Sequence, residues 1–368
     1  MPKFSLPWQQ KSYENGLQLN TRRYLDWRFW FLVIAATLAL TAGIFGLVYF
    51  HNLGAKDSTD DAETLLIEVS PGDTAGTIAN ELDEAKLIRS QWSFSLYARL
   101  NHSVFLPGRY MISSAQTVAD IIGVMAKGKS SVFNVTFIAG MTLDQLKQRL
   151  ISQYGYQAAE IDRAFKADYH NPLLVDKPAH ASLEGYIFPE TFKVNVDDSL
   201  QALLERDFNE LYSKLTTDHL IAKFKQHDLT IYQALTLASI VQKEASSPRD
   251  QRLVAQVFLK RLKEDKPLGS DVTALYGAEQ AGVNLPTDPA AAAAIAVSYD
   301  SPYNTRLHKG LPPGPISNME YSALQAVANP AKTDYTYFIG GDDRKMHYAR
   351  TLAEHNANIE RYCQISCR

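Results

Sequence analysis

A chain of 368 residues is too long for one ordinary domain and predicts two or three. Its hydrophobic fraction of 46% and charged fraction of 21% are those of a globular protein, and a net charge of −3 with no Lys/Arg run argues against a nucleic-acid partner. The only two cysteines, Cys363 and Cys367, make neither a disulfide framework nor a zinc site. Their spacing leaves open whether they pair with each other in an oxidising compartment.

Residues 29–50, FWFLVIAATLALTAGIFGLVYF, are uncharged and long enough to cross a bilayer core as a helix. The run is too long for a secretory leader and has no clear small-x-small cleavage site after it. Residues 1–28 carry Lys3, Lys11, Arg22, Arg23 and Arg28 against Glu14 and Asp26. After the run, Lys56 faces Asp57, Asp60, Asp61 and Glu63. The positive-inside rule therefore puts the N-terminus in the cytoplasm and everything after residue 50 outside it. Residues 51–64 are polar and acidic and read as a short tether.

Residues 65–150 repeat a loose strand–turn–helix pattern: strands over 65–69, 108–112 and 132–138, helices over 74–82, 117–125 and 142–150. Ile78, Leu82, Ile121, Ile122, Leu146 and Leu150 fall at helical spacing and read as core. Thr142 and Gln145 make a capping-box pattern. Nothing in this region has the residues for chemistry, so a binding module is the better expectation.

The most informative stretch follows: Ser182-Leu183-Glu184-Gly185-Tyr186-Ile187-Phe188-Pro189-Glu190-Thr191-Phe192. If 184–188 is extended, Glu184, Tyr186 and Phe188 share one face. Aromatics beside an acid suit a ring-shaped polar substrate, with stacking from the rings and a proton from the acid. Apolar neighbours would raise the carboxyl pKa and keep it protonated. The competing reading is a solvated glutamate beside core aromatics.

Helical periodicity returns over 200–215 and 230–245, the second opening with the box Thr230-x-x-Gln233. Ser247 and Pro248 can start the next helix. Glu244 falls in a helix's last turn, where the dipole disfavours an acid. It is either an exposed side chain or one with a partner or a job. Residues 265–318 read as mostly irregular. Within them, Tyr303 and Asn304 sit among prolines and suit either a cleft wall that binds sugar hydroxyls and amides or a loop packed over the core. A helix over 322–328, a hairpin from 335–340 to 347–349 and a helix over 351–362 end the chain. His308, His347 and His355 lack metal-ligand spacing, so no metal is expected.

The motifs in order resemble one family. They are Leu183-Glu184-Gly185-Tyr186-Ile187-Phe188-Pro189-Glu190-Thr191-Phe192, Ala238-Ser239-Ile240-Val241-Gln242-Lys243-Glu244, Ser270-Asp271-x-Thr273, Tyr303-Asn304-Thr305, Gly310-Leu311-Pro312-Pro313-Gly314-Pro315-Ile316 and Asn329-Pro330-Ala331-Lys332. Together they resemble the YceG-like endolytic murein transglycosylases of the bacterial inner membrane. The sequence departs from the family pattern at Ile138-Ala139-Gly140 and at Val272. The resemblance implies an α+β chain: a cytoplasmic segment (1–28), one membrane helix (29–50), a tether (51–64), a LysM-like peptidoglycan-binding module (65–150), a mixed α+β catalytic domain (151–362) and a tail (363–368).

It also implies lytic cleavage of MurNAc–GlcNAc bonds within glycan strands, leaving 1,6-anhydro-MurNAc ends and so terminating or trimming new strands. Glu184 would be the catalytic acid. Tyr186, Phe188, Glu244, Asp271, Tyr303 and Asn304 are the candidates to bind or orient the sugar. No cofactor is needed. The partners would be peptidoglycan strands, the inner membrane and wall-synthesis complexes. Two rivals remain: a hydrolytic muramidase, needing a second carboxylate about 5–9.5 Å from Glu184, and a non-enzymatic wall-binding scaffold.

Overall fold

The computed structural model describes residues 27–59, 62–127, 132–195 and 198–364. The charges at positions 3–26 that set the expected orientation, Asp60, Asp61 and Cys367 lie outside these residues. Helix α1 (Trp27–Leu53) carries an apolar span, Phe29–Leu53, whose most apolar window has no buried residue and whose C-terminal end packs on the small unit. It runs three residues past the expected end. The tether is not loose either: the amides of Lys56 and Asp57 donate to the Ser114 carbonyl at 2.9 and 3.1 Å.

A small unit follows. Strand β1 (Thr64–Val69), helices α2 (Ala75–Glu84) and α3 (Gln91–Leu100), strand β2 (Gly108–Ser113) and helix α4 (Val118–Lys127) enclose one core. β1 and β2 are antiparallel, from Thr64↔Ser113 to Val69↔Gly108. Alternation along β1 buries Ile67 and Val69 in the small core, whereas Leu66, on the opposite face, packs against the larger one. Helix α3 was not legible as a separate element in the strand–turn–helix pattern.

The third strand–turn–helix unit does not join this module. Strand β3 (Val132–Thr136) pairs antiparallel with β4 (Thr191–Asn195), and Phe133, Val135, Leu146 and Leu150 lie in the large core. The strand's hydrogen-bonding partner comes from beyond residue 150, so the two cores divide between Lys127 and Val132 rather than at 150. Helix α5 (Leu143–Tyr154) starts with the expected reciprocal cap, Thr142 to Gln145.

The large unit is mainly helical: α6 (Ala158–Lys166), α7 (Leu200–Thr217), α8 (Leu220–Gln226), α9 (Ile231–Glu244), α10 (Pro248–Lys263), α11 (Asp271–Gln280), α12 (Pro289–Ser298) and α13 (Tyr321–Ala328). α9 is its axis. Every residue of α9 from Ala234 to Val241 is buried, as a helix apolar on all sides requires. Residues 265–318 are less irregular than expected, since α11 and α12 lie within them. α12 starts with Asp288 as its cap, accepting from the Ala291 amide, and Pro289 in its first turn. Strands β5 (Tyr337–Gly340) and β6 (Met346–Ala349) form the expected hairpin, and α14 (Leu352–Tyr362) follows it. Cys363 is disulfide-bonded. The architecture is mixed α+β, its strands forming three two-stranded ladders among the described residues.

Candidate active site

Residues 184–188 are not extended. Leu183 to Tyr186 form a turn, with the Tyr186 amide donating to the Leu183 carbonyl at 3.0 Å and Gly185 at φ +80°. That left-handed angle is why the segment cannot be a strand there and why glycine occupies it. A Cβ on Gly185 would also lie 2.3 Å from Cβ of Pro315, so the 310–316 segment packs directly on the turn. The expected shared face is lost with the strand. Tyr186 is 0% and Phe188 5% exposed, both in the large core. Tyr186 stacks on Tyr232, and Phe188 meets Tyr321 edge-on. Neither ring has a face open to a sugar.

Glu184 is itself only 5% exposed. Its Oε2 accepts from the backbone amide of Leu143, the first residue of α5, at 3.1 Å and from the Tyr276 hydroxyl at 3.3 Å. Burial pushes its pKa up to about 7, and the neighbouring Asp144 adds to the rise. The donations from Leu143, Tyr276 and Gly185 work the other way, and desolvation outweighs them. Tyr276 meets Tyr303 edge-on at 4.9 Å between ring centroids. Burial, then the Glu184 charge, pushes the Tyr303 phenol up. A cavity of about 750 Å³ begins at Leu143, Ser182 and Leu183, which flank Glu184, and continues past Lys147, Lys177 and His180. A larger cavity, of about 870 Å³, is lined by Tyr232, Gln256 and Pro312, and Glu184 is in the wall of neither cavity.

Glu244 ends α9, half-buried, and accepts a hydrogen bond from Ser270 at 2.5 Å. Burial pushes it up to about 7; Asp271 adds to this, and Arg261 and Arg306 oppose it. Asp271 is exposed at the start of α11 and pairs with Arg306 at 2.5 Å. Glu244 and Asp271 thus sit near the first turn of α11, and Tyr276 is five residues along it, about 7.5 Å on. One helix links the two acid groups.

Asn304 lies inside the fold rather than on a cleft wall. It is fully buried, and its Nδ2 donates to the carbonyls of Ala296, Val297 and Tyr299 at 3.3, 3.0 and 2.9 Å. Its Oδ1 accepts from the Arg306 amide. The side chain satisfies the open C-terminal end of α12 and has nothing left to offer.

Two residues escaped the sequence reading. Tyr276 had no local signal, because its contact with Glu184 spans 92 residues. Asp207 had one: it falls on the apolar stripe of α7 between Leu203, Leu204 and Leu211. Its side chain is fully buried, its Oδ2 accepts from the Phe188 amide at 2.9 Å, and its Oδ1 has no partner. Burial holds that carboxyl well above its ordinary range. Asp207 and Ser182, whose Oγ accepts from the Glu184 amide at 3.2 Å, pin the two ends of the acid-bearing turn. The Ile138-Ala139-Gly140 turn, expected in the binding module, is held instead at the large unit: Asn318 donates to Ile138 and accepts from Met141.

Comparison with known proteins gives a consistent picture. An endolytic murein transglycosylase of Bacillus subtilis (strain 168) is 29% identical over 330 residues, covering 86% of this chain and 89% of that protein. One from Streptococcus pneumoniae (strain D39) is 27% identical over 355 residues, covering 89% of this chain. The chain spans 64% of that relative's length. A crystal structure of a YceG-like protein from Listeria monocytogenes superposes with a TM-score of 0.56 at 26% identity, covering 80% of this chain and 98% of that one. The model of the YceG-like family matches residues 67–361, and this chain belongs to that family.

Proposed function

We propose that this protein is a membrane-anchored lytic transglycosylase that cuts MurNAc–GlcNAc bonds inside peptidoglycan strands, with Glu184 as its catalytic acid and base. The observation that carries the reading is a carboxyl pushed up to about 7 by burial and held between a helix N-terminus and a phenol, its neighbours Leu143 and Leu183 lining a cavity. The curated relatives named endolytic murein transglycosylases support the choice of substrate.

Protonated Glu184 donates to the leaving glycosidic oxygen as positive charge develops at the muramic anomeric carbon. The carboxylate left behind gains from the Leu143 amide and the Tyr276 hydroxyl, which both stabilise the charged form. It then takes the proton of the sugar's own 6-hydroxyl as that oxygen closes on the anomeric carbon. The acid is restored, and no water is consumed. General acid–base work of this kind contributes about 10²–10⁴ in rate. Of the residues first expected to touch sugar, Tyr303, Glu244 and Asp271 remain accessible and are assigned to orient it.

The small unit is assigned to binding peptidoglycan as a LysM-like module, supported by its separate core and lack of catalytic groups. α1 is assigned as a single-pass inner-membrane anchor, N-terminus in the cytoplasm, with wall-synthesis complexes as neighbours. Hydrolysis is the second reading, and one observation favours it: Asp144, whose charge adds to the rise in the Glu184 pKa, lines the same cavity as Leu143 and Leu183 and would hold the water. Incubating the full chain with purified glycan strands and weighing the products separates the two. Anhydro ends support the lytic reaction and reducing ends support hydrolysis. Glu184→Gln should release no product while still retaining strands in a pull-down; a variant that still forms anhydro ends would sink the assignment.

A further inference from the structure

The apolar helix does not leave the rest of the chain freely. Phe45 and Tyr49, within the span Phe29–Leu53, pack edge-on against Trp92 of α3, with ring centroids 4.9 and 5.9 Å apart. Trp92 is nevertheless 49% exposed. Just beyond, Arg89 Nη1 lies 2.6 Å from His51 Nε2, and Arg89 Nε donates to the Ala55 carbonyl at 2.9 Å. Lys56 donates to the Lys86 carbonyl, and Leu53 packs on the small core.

Length turns this packing into a position. The span of 25 residues is about 37 Å long, against about 30 Å of hydrocarbon. Even if all the surplus projects on the C-terminal side, the hydrocarbon edge falls near Val48. Phe45 is then still below it, and tilting the helix only draws Phe45 deeper. A side chain stacked on Phe45 and Tyr49 must therefore lie at that edge. Tryptophan suits this depth, with its ring in the apolar layer and its N–H in the wet one. Lys56, Lys86 and Arg89 come next outward, where lipid phosphates would be.

We propose that α3, through Trp92 and the adjoining Lys56, Lys86 and Arg89, is a bilayer-contacting surface that seats the small unit in the phospholipid headgroup layer. The proposal rests on reading α1 as a membrane anchor and goes beyond it. The unit would be docked on lipid as well as joined to the anchor.

The sequence contains four tryptophans, Trp8, Trp27, Trp30 and Trp92. Changing the first three to phenylalanine leaves Trp92 as the sole indole reporter in the full chain, reconstituted in phosphatidylglycerol-containing vesicles. Bromine placed at successive depths on the lipid acyl chains should quench its emission, most strongly from positions nearest the headgroup, and the emission should be blue-shifted. Unquenched, water-like emission from chains that float with the vesicles would overturn the proposal and spare the anchor. Chains that do not float with the vesicles would overturn both.

Discussion

Glu184 balances two opposed forces, and the balance fixes its pH behaviour. Its folded pKa, about 7, lies above the ordinary glutamate value of 4.5. In the acid role proposed above, the proton Glu184 donates is lost as pH rises through about 7, so the proposed bond cleavage should slow there with a single ionisation. Stability has the same sign. Between 4.5 and 7 the folded state holds a proton that the unfolded chain has released, so stability is fully present below 4.5 and declines as pH rises through 7. The loss attributable to Glu184 is at most about 3 kcal/mol. Glu184→Gln removes the charged form, so the variant should melt at or above the wild-type temperature at pH 8 and near it at pH 5. A variant that melts well below wild type at pH 8 would contradict this picture. The stretch stood out in the sequence because an acid, a glycine, aromatics and a proline in eleven residues is an unusual combination; that Glu184 is buried rather than solvated is legible only in the fold. Asn304 was left open between a cleft wall and a packed loop, because a polar side chain among prolines looks the same whether it faces a ligand or the end of α12, and the fold places it against α12. Tyr276 was illegible because only folding brings it to Glu184.

The turn, not a strand, presents the acid, and its geometry depends on neighbours far away in sequence. Gly185→Ala should cost about 3 kcal/mol or more, because a left-handed backbone angle and a close contact with Pro315 are both violated. Thermal denaturation measures it, and a shift of under a degree would show that the turn relaxes freely. Where local chemistry rules, the elements were readable: the reciprocal caps at Thr142 and Thr230 are formed as their sequences predict. The strand expectation for 184–188 failed because alternation of side chains looks the same in a turn, and Gly185 alone carries the warning. α11 was hidden because it lacks a wide apolar stripe. Its Gly277 instead lets Ser301 and Tyr303 press against it, where a Cβ would come within 2.4 Å of the serine hydroxyl.

At the scale of the molecule, the division between the cores matters for how the chain can be cut. A fragment of residues 151–368 deletes β3 and the α5 N-terminus, so β4 loses its ladder and Glu184 loses the Leu143 amide. A fragment of 132–368 keeps both. The longer fragment should unfold cooperatively in calorimetry and the shorter one should not; equal transitions would mean that the β3–β4 ladder contributes little. The sequence could not place this division, because a strand's periodicity does not name its partner.

The fastening of Lys56 and Asp57 to Ser114, with Leu66 pressed into the larger core, has a mechanical consequence. A leash would let a membrane enzyme roam; a bracket does not. With α1 in the bilayer, as proposed, the turn that carries Glu184 stands at one set height above the lipid. Polymer that has drifted away from the surface is then out of reach, whatever its chemistry.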